Sequence, residues 1–315
     1  MKVLVTGGAG FIGSHLVEGL LQKDYEVVVA DNLATGKKEN LAAVADRIEF
    51  RELDLADVEQ AVSAVEGVEA VLHAAAIPSV PRSVSDPMLS NNASINATLN
   101  TLIAARDAEL SRFVYAASSA VYGDDPALPK TEDMPAHPMS PYAIGKLTGE
   151  YYCSVFYQLY GLPAMSLRYF NVYGPRQDPN SEYAAVIPRF ITTLLKGEQP
   201  TIYGDGEQSR DFTYVEDIVQ ANILALESSR GFGETMNVAS GDRVSLNELF
   251  ARLRVLTGSD QSPVYAPARA GDVKHSRADI SKAREMLGYE PRISFAEGMD
   301  RTASWFRKQM ETAGG

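Results

Sequence analysis

Tyr142 and Lys146 stand four residues apart in Tyr142-Ala143-Ile144-Gly145-Lys146, directly after Pro141. On a helix that spacing puts both side chains on one face, one turn apart. An ammonium beside a phenol favours the phenolate, so the tyrosine can act as a base near neutral pH and take the proton of a carbinol. Near the N-terminus, Gly7-Gly8-Ala9-Gly10-Phe11-Ile12-Gly13 follows an apolar run and opens an amphipathic one. That is the context in which glycines hold a dinucleotide pyrophosphate. Gly7 allows the tight turn, Gly10 the approach of the backbone, and Gly13 the close packing of helix on strand. The phosphates then meet the positive end of the helix. Asp31 stands 18 residues after Gly13. Its carboxylate can accept from ribose hydroxyls and would repel a 2′-phosphate, so NAD is expected rather than NADP. Lys37 and Lys38 pull the other way. Asp54 ends a further strand-like run, where a carboxylate can reach an adenine amine. Ala74 and Ala75 offer small side chains to a flat cofactor, and His73 before them reads as a structural hydrogen-bonding residue.

These groups need a scaffold that brings them to one edge. Strand patterns cover residues 2–6, 26–30, 47–52, 70–73, 112–116 and 163–169. Helical patterns lie between them, including 11–22, a long one over 87–108, and 141–160. Such alternation predicts an α/β fold, a Rossmann-type doubly wound parallel sheet, with a smaller C-terminal substrate-binding lobe. Beyond residue 169, Gly, Pro, Asn, Asp and Arg become frequent as far as 211. A strand over 212–215 and a helix over 216–227 are both expected to return to the first sheet. Two further amphipathic helices are expected near 245–256 and 295–309. The division expected is a dinucleotide-binding domain of 1–170 with 212–239, and a second lobe of 171–211 with 240–315.

The chain has 315 residues, 45% of them hydrophobic, and a formal charge of −12 from 29 basic and 41 acidic side chains. That balance argues against nucleic acid or an anionic membrane as a general partner. No apolar run reaches the roughly 20 residues that span a bilayer. The N-terminal apolar run is too short for a secretory signal, so a cytoplasmic location is expected. Cys153 is the single cysteine, which leaves no disulfide or zinc framework within one chain. His15, His73, His137 and His275 show no metal-ligand spacing, and no metal is expected.

The glycine motif, Asp31, Ser118 and the Tyr142/Lys146 pair together resemble the extended short-chain dehydrogenase/reductase superfamily. Within it the chain is similar to the nucleotide-sugar 4-epimerases, and most to those acting on UDP-N-acetylglucosamine and UDP-glucose. Further segments carry the resemblance: Ser118-Ser119-Ala120-Val121-Tyr122-Gly123, Arg168-Tyr169-Phe170-Asn171-Val172-Tyr173-Gly174, Ser209-Arg210-Asp211-Phe212, Arg269-Ala270-Gly271-Asp272 and Ser79-Val80-Pro81-Arg82-Ser83. The resemblance implies a tightly bound NAD that is reduced and reoxidised within each turnover. It implies catalytic roles for Tyr142, Lys146 and Ser118, with Ser119 as an alternative to Ser118. Besides the glycines, Asp31 and Asp54, it places Phe11, Ile12, Asn32, Thr35, Gly36, Leu55, Ala74 and Ala75 around the cofactor, together with Tyr142 and Lys146. For a UDP-sugar it implies Arg210 and Arg269 at the diphosphate, Asp272 at the uridine ribose, and Tyr203, Ala185 and Val186 around the uracil. Asn171, Ser79, Ser83, Ser118, Ser119, Tyr142 and Ser276 would meet the diphosphate or sugar. A homodimer is implied as well, with the helices near 87–108 and 141–160 pairing into a four-helix bundle.

Three departures sharpen this. Dehydratases of the superfamily carry an Asp-Glu pair just after the position of Ser118, whereas Ser119-Ala120 offers no acid or base for β-elimination. Ser94 and Ala97 stand where Asn and Gly are usual, which removes one expected cofactor-side hydrogen bond. Ser276 matches the position beside the sugar C2 substituent, where a tyrosine would leave no room for an acetamide. The expected reaction is C4 epimerisation of UDP-GlcNAc/UDP-GalNAc and of UDP-Glc/UDP-Gal. The alternatives are a UDP-glucuronate 4-epimerase or decarboxylase, with Arg82 facing the carboxylate, and a non-catalytic NAD-sensing protein.

Overall fold

The computed structural model describes residues 1–179, 185–268 and 274–314. Six strands and the helices between them build the first part: β1 (Lys2–Thr6), α1 (Phe11–Gln22), β2 (Glu26–Asp31), β3 (Ile48–Glu52), α2 (Val58–Ala64), β4 (Ala70–His73), α3 (Val80–Ser85), α4 (Pro87–Asn91), α5 (Ala97–Asp107), β5 (Arg112–Ser118), α6 (Pro141–Tyr160) and β6 (Ala164–Tyr169). The remainder comprises β7 (Val172–Tyr173), α7 (Val186–Leu195), β8 (Thr201–Tyr203), β9 (Ser209–Arg210), β10 (Thr213–Tyr214), α8 (Val215–Glu227), β11 (Thr235–Val238), β12 (Val244–Ser245), α9 (Leu246–Thr257), β13 (Val264–Ala266), α10 (Ser281–Leu287) and α11 (Phe295–Gly314).

Seven strands form one parallel sheet in the order β11-β6-β5-β4-β1-β2-β3. The chain winds outward in both directions from β1, so a crevice opens between β1 and β4 at their carboxyl ends. Alternating strand residues feed two cores. Val3, Val5, Val27, Val29 and Leu72 pack with α1 and α8 on one face. Leu4, Val28, Val71, Phe113 and Tyr115 pack with α2, α5 and α6 on the other. Both faces are covered, which is why the strands read as near-continuous apolar runs. A third core, including Tyr173, Phe190, Leu249 and Met299, lies beyond the sheet.

The strand expected over 212–215 does not join the main sheet. It shortens to β10, which pairs with β7 alone. The backbone turns away after β6 at Asn171, whose φ is +33°, and both short strands lie past the end of the sheet. The edge beside β6 is taken by β11, a strand that the sequence patterns do not mark. The helix that follows β10 does return, packing on α1. The long helix over 87–108 contains a π-helical turn at Asn92–Asn96. There Thr98 and Thr101 hydroxyls donate to the Ser94 and Ala97 carbonyls at 2.5 and 2.6 Å, a local competition that distorts helices. Helix α7 falls in the stretch up to 211, where the sequence patterns mark no helix. Among the described residues no helix is long and apolar enough to cross a membrane.

Helix α6 carries Tyr142 and Lys146, and its ends are fixed by sequence. Ser140 accepts from the Ala143 N–H at 3.2 Å, Pro141 occupies the first turn, and Gly161 closes the helix in the left-handed region at φ +72°. Gly149 lets the helix approach β5. A Cβ there would lie 2.3 Å from Cζ of the fully buried Tyr115. Overpacking of a rigid core costs about 1–3 kcal/mol. We therefore expect Gly149→Ala to destabilise the fold by that amount in urea titrations, and an unchanged unfolding midpoint would show that α6 does not need this approach.

Candidate active site

The expected site residues converge on the carboxyl ends of the strands. Gly7 follows β1, Asp31 ends β2, Asp54 and Leu55 follow β3, Ala74 and Ala75 follow β4, Ser118 ends β5, and Asn171 follows β6. They line one cleft of about 1670 Å³. A single small-molecule site takes roughly 300–1,000 Å³, so the cleft has room for two ligands.

One half fits a dinucleotide. Gly7 has φ +66°, and a Cβ there would lie 2.8 Å from the Ala75 Cα. A Cβ at Gly13 would lie 2.1 Å from the Gly7 carbonyl oxygen. No side chain could replace either hydrogen without moving backbone. Gly10 is the N-cap of α1 and offers no side-chain cap, so the first N–H groups of that helix remain free for an anion. Asp31 is buried and accepts from the Ala9 and Leu33 N–H groups at 2.9 and 2.8 Å. A carboxylate has about four acceptor positions, so two remain for ribose hydroxyls. Burial raises the Asp31 pKa and these two bonds oppose the shift. Lys37 and Lys38 are engaged elsewhere, with Asp178 at 3.0 Å and Glu52 at 2.9 Å. Neither is held ready for a 2′-phosphate. Phe11, Ile12, Asn32, Thr35, Gly36, Asp54 and Leu55 also line this half. The residues present fit NAD.

His73 lies beneath the crevice, fully buried. The Thr6 hydroxyl meets Nδ1 and the Thr98 hydroxyl meets Nε2, both at 3.0 Å. Thr98 spends its own proton on the Ser94 carbonyl, so Nε2 donates and Nδ1 accepts. Burial, with Lys146 adding to it, pushes the imidazole down to about 3. It is a neutral strut. The Ser94 hydroxyl is buried against Gly145 and is not among the cleft-lining groups.

The reactive pair sits where the two halves meet. The Lys146 side chain is nearly buried, and its ammonium donates to the Ala116 carbonyl at 2.8 Å. It lies 5.0 Å from the centre of the Tyr115 ring and 6.0 Å from that of Tyr142. Burial pushes the ammonium down to about 8, and Glu150 opposes that shift. Glu150 follows Lys146 by one helical turn and binds Arg168 through two bonds of 2.9 and 2.7 Å. The Arg168 guanidinium stacks 4.8 Å from the Tyr122 ring. Tyr122 in turn donates to Asn237 at 2.7 Å. For Tyr142, burial is the largest influence and holds the phenol above its ordinary value. The Ser118 hydroxyl beside it opposes the shift. The Lys146 ammonium, directed at the Ala116 carbonyl, is the cation nearest this phenol in the described geometry of α6. Ser118 also accepts from the Ala120 N–H at 3.2 Å. Both Ser118 and Ser119 line the cleft.

The second half is lined by Ser79, Asn171, Ala185, Arg210 and Ser276. It borders a side pocket of about 250 Å³ that includes Ala185, Val186, Tyr203 and Arg210. Asp211 shapes this region, a site-building role that sequence reasoning misses. One of its oxygens accepts from the Ser240 N–H and hydroxyl at 3.0 and 2.6 Å. The other accepts from the Gly241 and Ala278 N–H groups at 3.2 and 3.0 Å. Burial pushes this carboxyl up to about 6 against those bonds. It thereby pins the Ser276–Ala278 segment beside Arg210. Ser83 does not reach the cleft, because its hydroxyl donates to the Val80 carbonyl at 2.6 Å within its own helix. Arg269 and Asp272 lie outside the described residues.

Comparison with known proteins agrees with this geometry. Residues 3–239 match the model of the NAD dependent epimerase/dehydratase family. The UDP-glucose 4-epimerase of Mycolicibacterium smegmatis is 40% identical over 315 residues, covering 99% of this chain and 100% of that protein. A UDP-N-acetylglucosamine 4-epimerase from Methanobrevibacter ruminantium, solved with UDP-N-acetylmuramic acid, is 44% identical with a TM-score of 0.93, over 98% of this chain and 99% of that one. The UDP-glucose 4-epimerase of Thermus thermophilus, solved with NAD, is 40% identical with a TM-score of 0.88, over 98% and 99% of the two chains. Sequence, topology and cleft thus point one way, and the chain belongs to the NAD dependent epimerase/dehydratase family.

Proposed function

We propose that this protein epimerises UDP-hexoses at C4, the N-acetylated UDP-GlcNAc and UDP-GalNAc among them, with NAD kept in place between turnovers. The observation that carries the reading is the position of Tyr142, Ser118 and Lys146 between a dinucleotide cradle and a second, arginine-bearing half of the same cleft. Relatives named as UDP-glucose and UDP-N-acetylglucosamine 4-epimerases support it.

In this reading Tyr142 takes the proton of the sugar 4-hydroxyl. Ser118 hydrogen-bonds the same oxygen and passes its proton to the phenolate. Lys146 supplies the positive charge that makes a buried phenolate accessible, and it would hold the nicotinamide ribose. When bound, NAD supplies a hydride acceptor for C4 and the hydride that is later returned. A 4-keto sugar results, and Tyr142 gives its proton back when the keto group is reduced on the other face. The sugar must turn between those events while its nucleotide stays anchored. Arg210 and Arg269 would grip the diphosphate, since a guanidinium fork matches phosphate oxygens. Asp272 would take the uridine ribose, and Tyr203, Ala185 and Val186 the uracil. The third hydrophobic core would then be the centre of a substrate lobe. Ser276 leaves space beside C2 for an acetamide. On α6 the exposed Ile144, Tyr151, Val155 and Leu159 lie along one face, which supports a homodimer packed through this helix and the helical stretch over 87–108.

The test is proton NMR of the purified protein with UDP-GlcNAc, UDP-glucose or UDP-glucuronate, without added NAD. New GalNAc anomeric signals support the reading, and turnover of UDP-glucuronate alone would move it to the uronates, with Arg82 in the cleft as the group to change next. Loss of general acid–base catalysis costs about 10²–10⁴-fold, so Tyr142→Phe is expected to lose at least that much while still carrying NAD. Near-normal turnover in that variant would remove Tyr142 from its role. Ser276→Tyr is expected to lower kcat/KM for UDP-GlcNAc by about tenfold or more relative to UDP-glucose, and an equal fall for both would refute the role of Ser276. Lys146 is charged below about pH 8 and loses its proton above it. The kcat/KM profile should therefore fall as pH rises through about 8, whereas a profile that stays flat well into the alkaline range would contradict a requirement for the ammonium.

A further inference from the structure

A short strap crosses the cofactor half of the cleft. Residues 174–178 leave the region of β7 and run past the start of α1. Arg176, Gln177 and Asp178 line the same cavity as Gly10, Gly13, Asp31 and Lys37. Arg176 holds the strap down. Its Nη1 donates to Glu18 Oε1 at 2.6 Å and to the Asn40 carbonyl at 3.1 Å. Its Nη2 donates to Glu18 Oε2 at 2.9 Å and to His15 Nδ1 at 2.8 Å. Arg176 Nε also lies 3.4 Å from His15 Nε2, but the shorter contact is at Nδ1, and burial holds the imidazole neutral at about 4, so Nδ1 is the accepting nitrogen. The other nitrogen, Nε2, then donates to the Pro175 carbonyl at 3.0 Å, which anchors the strap a second time. Arg176 adopts φ +67°, a left-handed conformation that a bulky residue keeps only where its surroundings impose it. At the far end of the strap, Asp178 pairs with Lys37 at 3.0 Å. The Lys37 N–H and the Asn40 side chain both donate to the Ala9 carbonyl, at 2.9 and 2.8 Å. The cradle turn, the loop after β2 and the strap are thus tied into one ring.

Every hydrogen on the terminal nitrogens of Arg176 is spent inside the protein. The guanidinium is therefore built as a latch rather than as a phosphate ligand. We propose that the Arg176 latch closes the strap over the cofactor half of the cleft and sets how slowly NAD leaves. Arg176 is a positioning residue, and the inference rests on the reading that NAD stays in place between turnovers.

The experiment measures NAD per protomer after gel filtration, and the release rate of labelled NAD chased with unlabelled NAD. A single charge-assisted hydrogen bond is worth about tenfold in an equilibrium. Arg176→Ala should therefore release NAD about tenfold or more faster than the wild type and recover activity when NAD is added. Glu18→Gln should change in the same direction with Arg176 still present, and it provides the test if the first variant does not fold. Release rates within about twofold of wild type in a folded variant would overturn the latch. Rapid release from the wild type itself would refute permanent retention. A still faster Arg176→Ala would then uphold the latch, and equal rates would overturn both.

Discussion

A positive charge kept almost entirely out of water lies beneath the cleft, and much of the surrounding structure serves it. Lys146 is 4% exposed, and desolvation weakens its hold on its proton. The Ala116 carbonyl takes one N–H, and Glu150 supplies the opposing charge. Glu150 cannot stand alone in that position either. It is 3% exposed and is satisfied by Arg168, itself 6% exposed, through two parallel bonds. Arg168 leans on the Tyr122 ring, and Tyr122 is tied to Asn237 on the outermost strand of the sheet. One buried charge thus links α6, β5, β6 and β11. Breaking such a pair by removing one partner is far more costly than the pair is stabilising.

Where this network lies follows from topology. Parallel strands that wind outward from β1 present their carboxyl ends at one edge, and every cradle residue is placed at such an end. The second half of the cleft is assembled differently. It depends on excursions after Asn171, around Arg210 and through Ser276, which converge on the buried Asp211 carboxylate. Donors from Ser240, Gly241 and Ala278 fix that one side chain, so a loop-built region gains the definition that the sheet gives the other half.

The sequence is most readable where local rules and function coincide. The strand, the glycines and the amphipathic helix before residue 22 announce the cradle together. Ser140-Pro141 and Gly161 announce the helix that carries Tyr142 and Lys146. The elements after β6 are less readable. Strand β11 has four residues, and nothing local distinguishes its edge position from that of β10. The spent hydroxyl of Ser83 is a local outcome, since a bond to the carbonyl three residues back inside a short helix competes with any ligand. Glu150 can be found, because it repeats the four-residue spacing of Tyr142 and Lys146. Arg176 cannot, because its partners His15 and Glu18 on α1 lie 161 and 158 positions away.

The central claim is that hydride leaves C4 and returns to it inside one closed site. UDP-GlcNAc deuterated at C4 tests it most directly, incubated in ordinary water with the purified protein and no added NAD. The account predicts UDP-GalNAc that keeps its deuterium at C4. Exchange of that deuterium with solvent, or a strict need for stoichiometric added NAD, would contradict it.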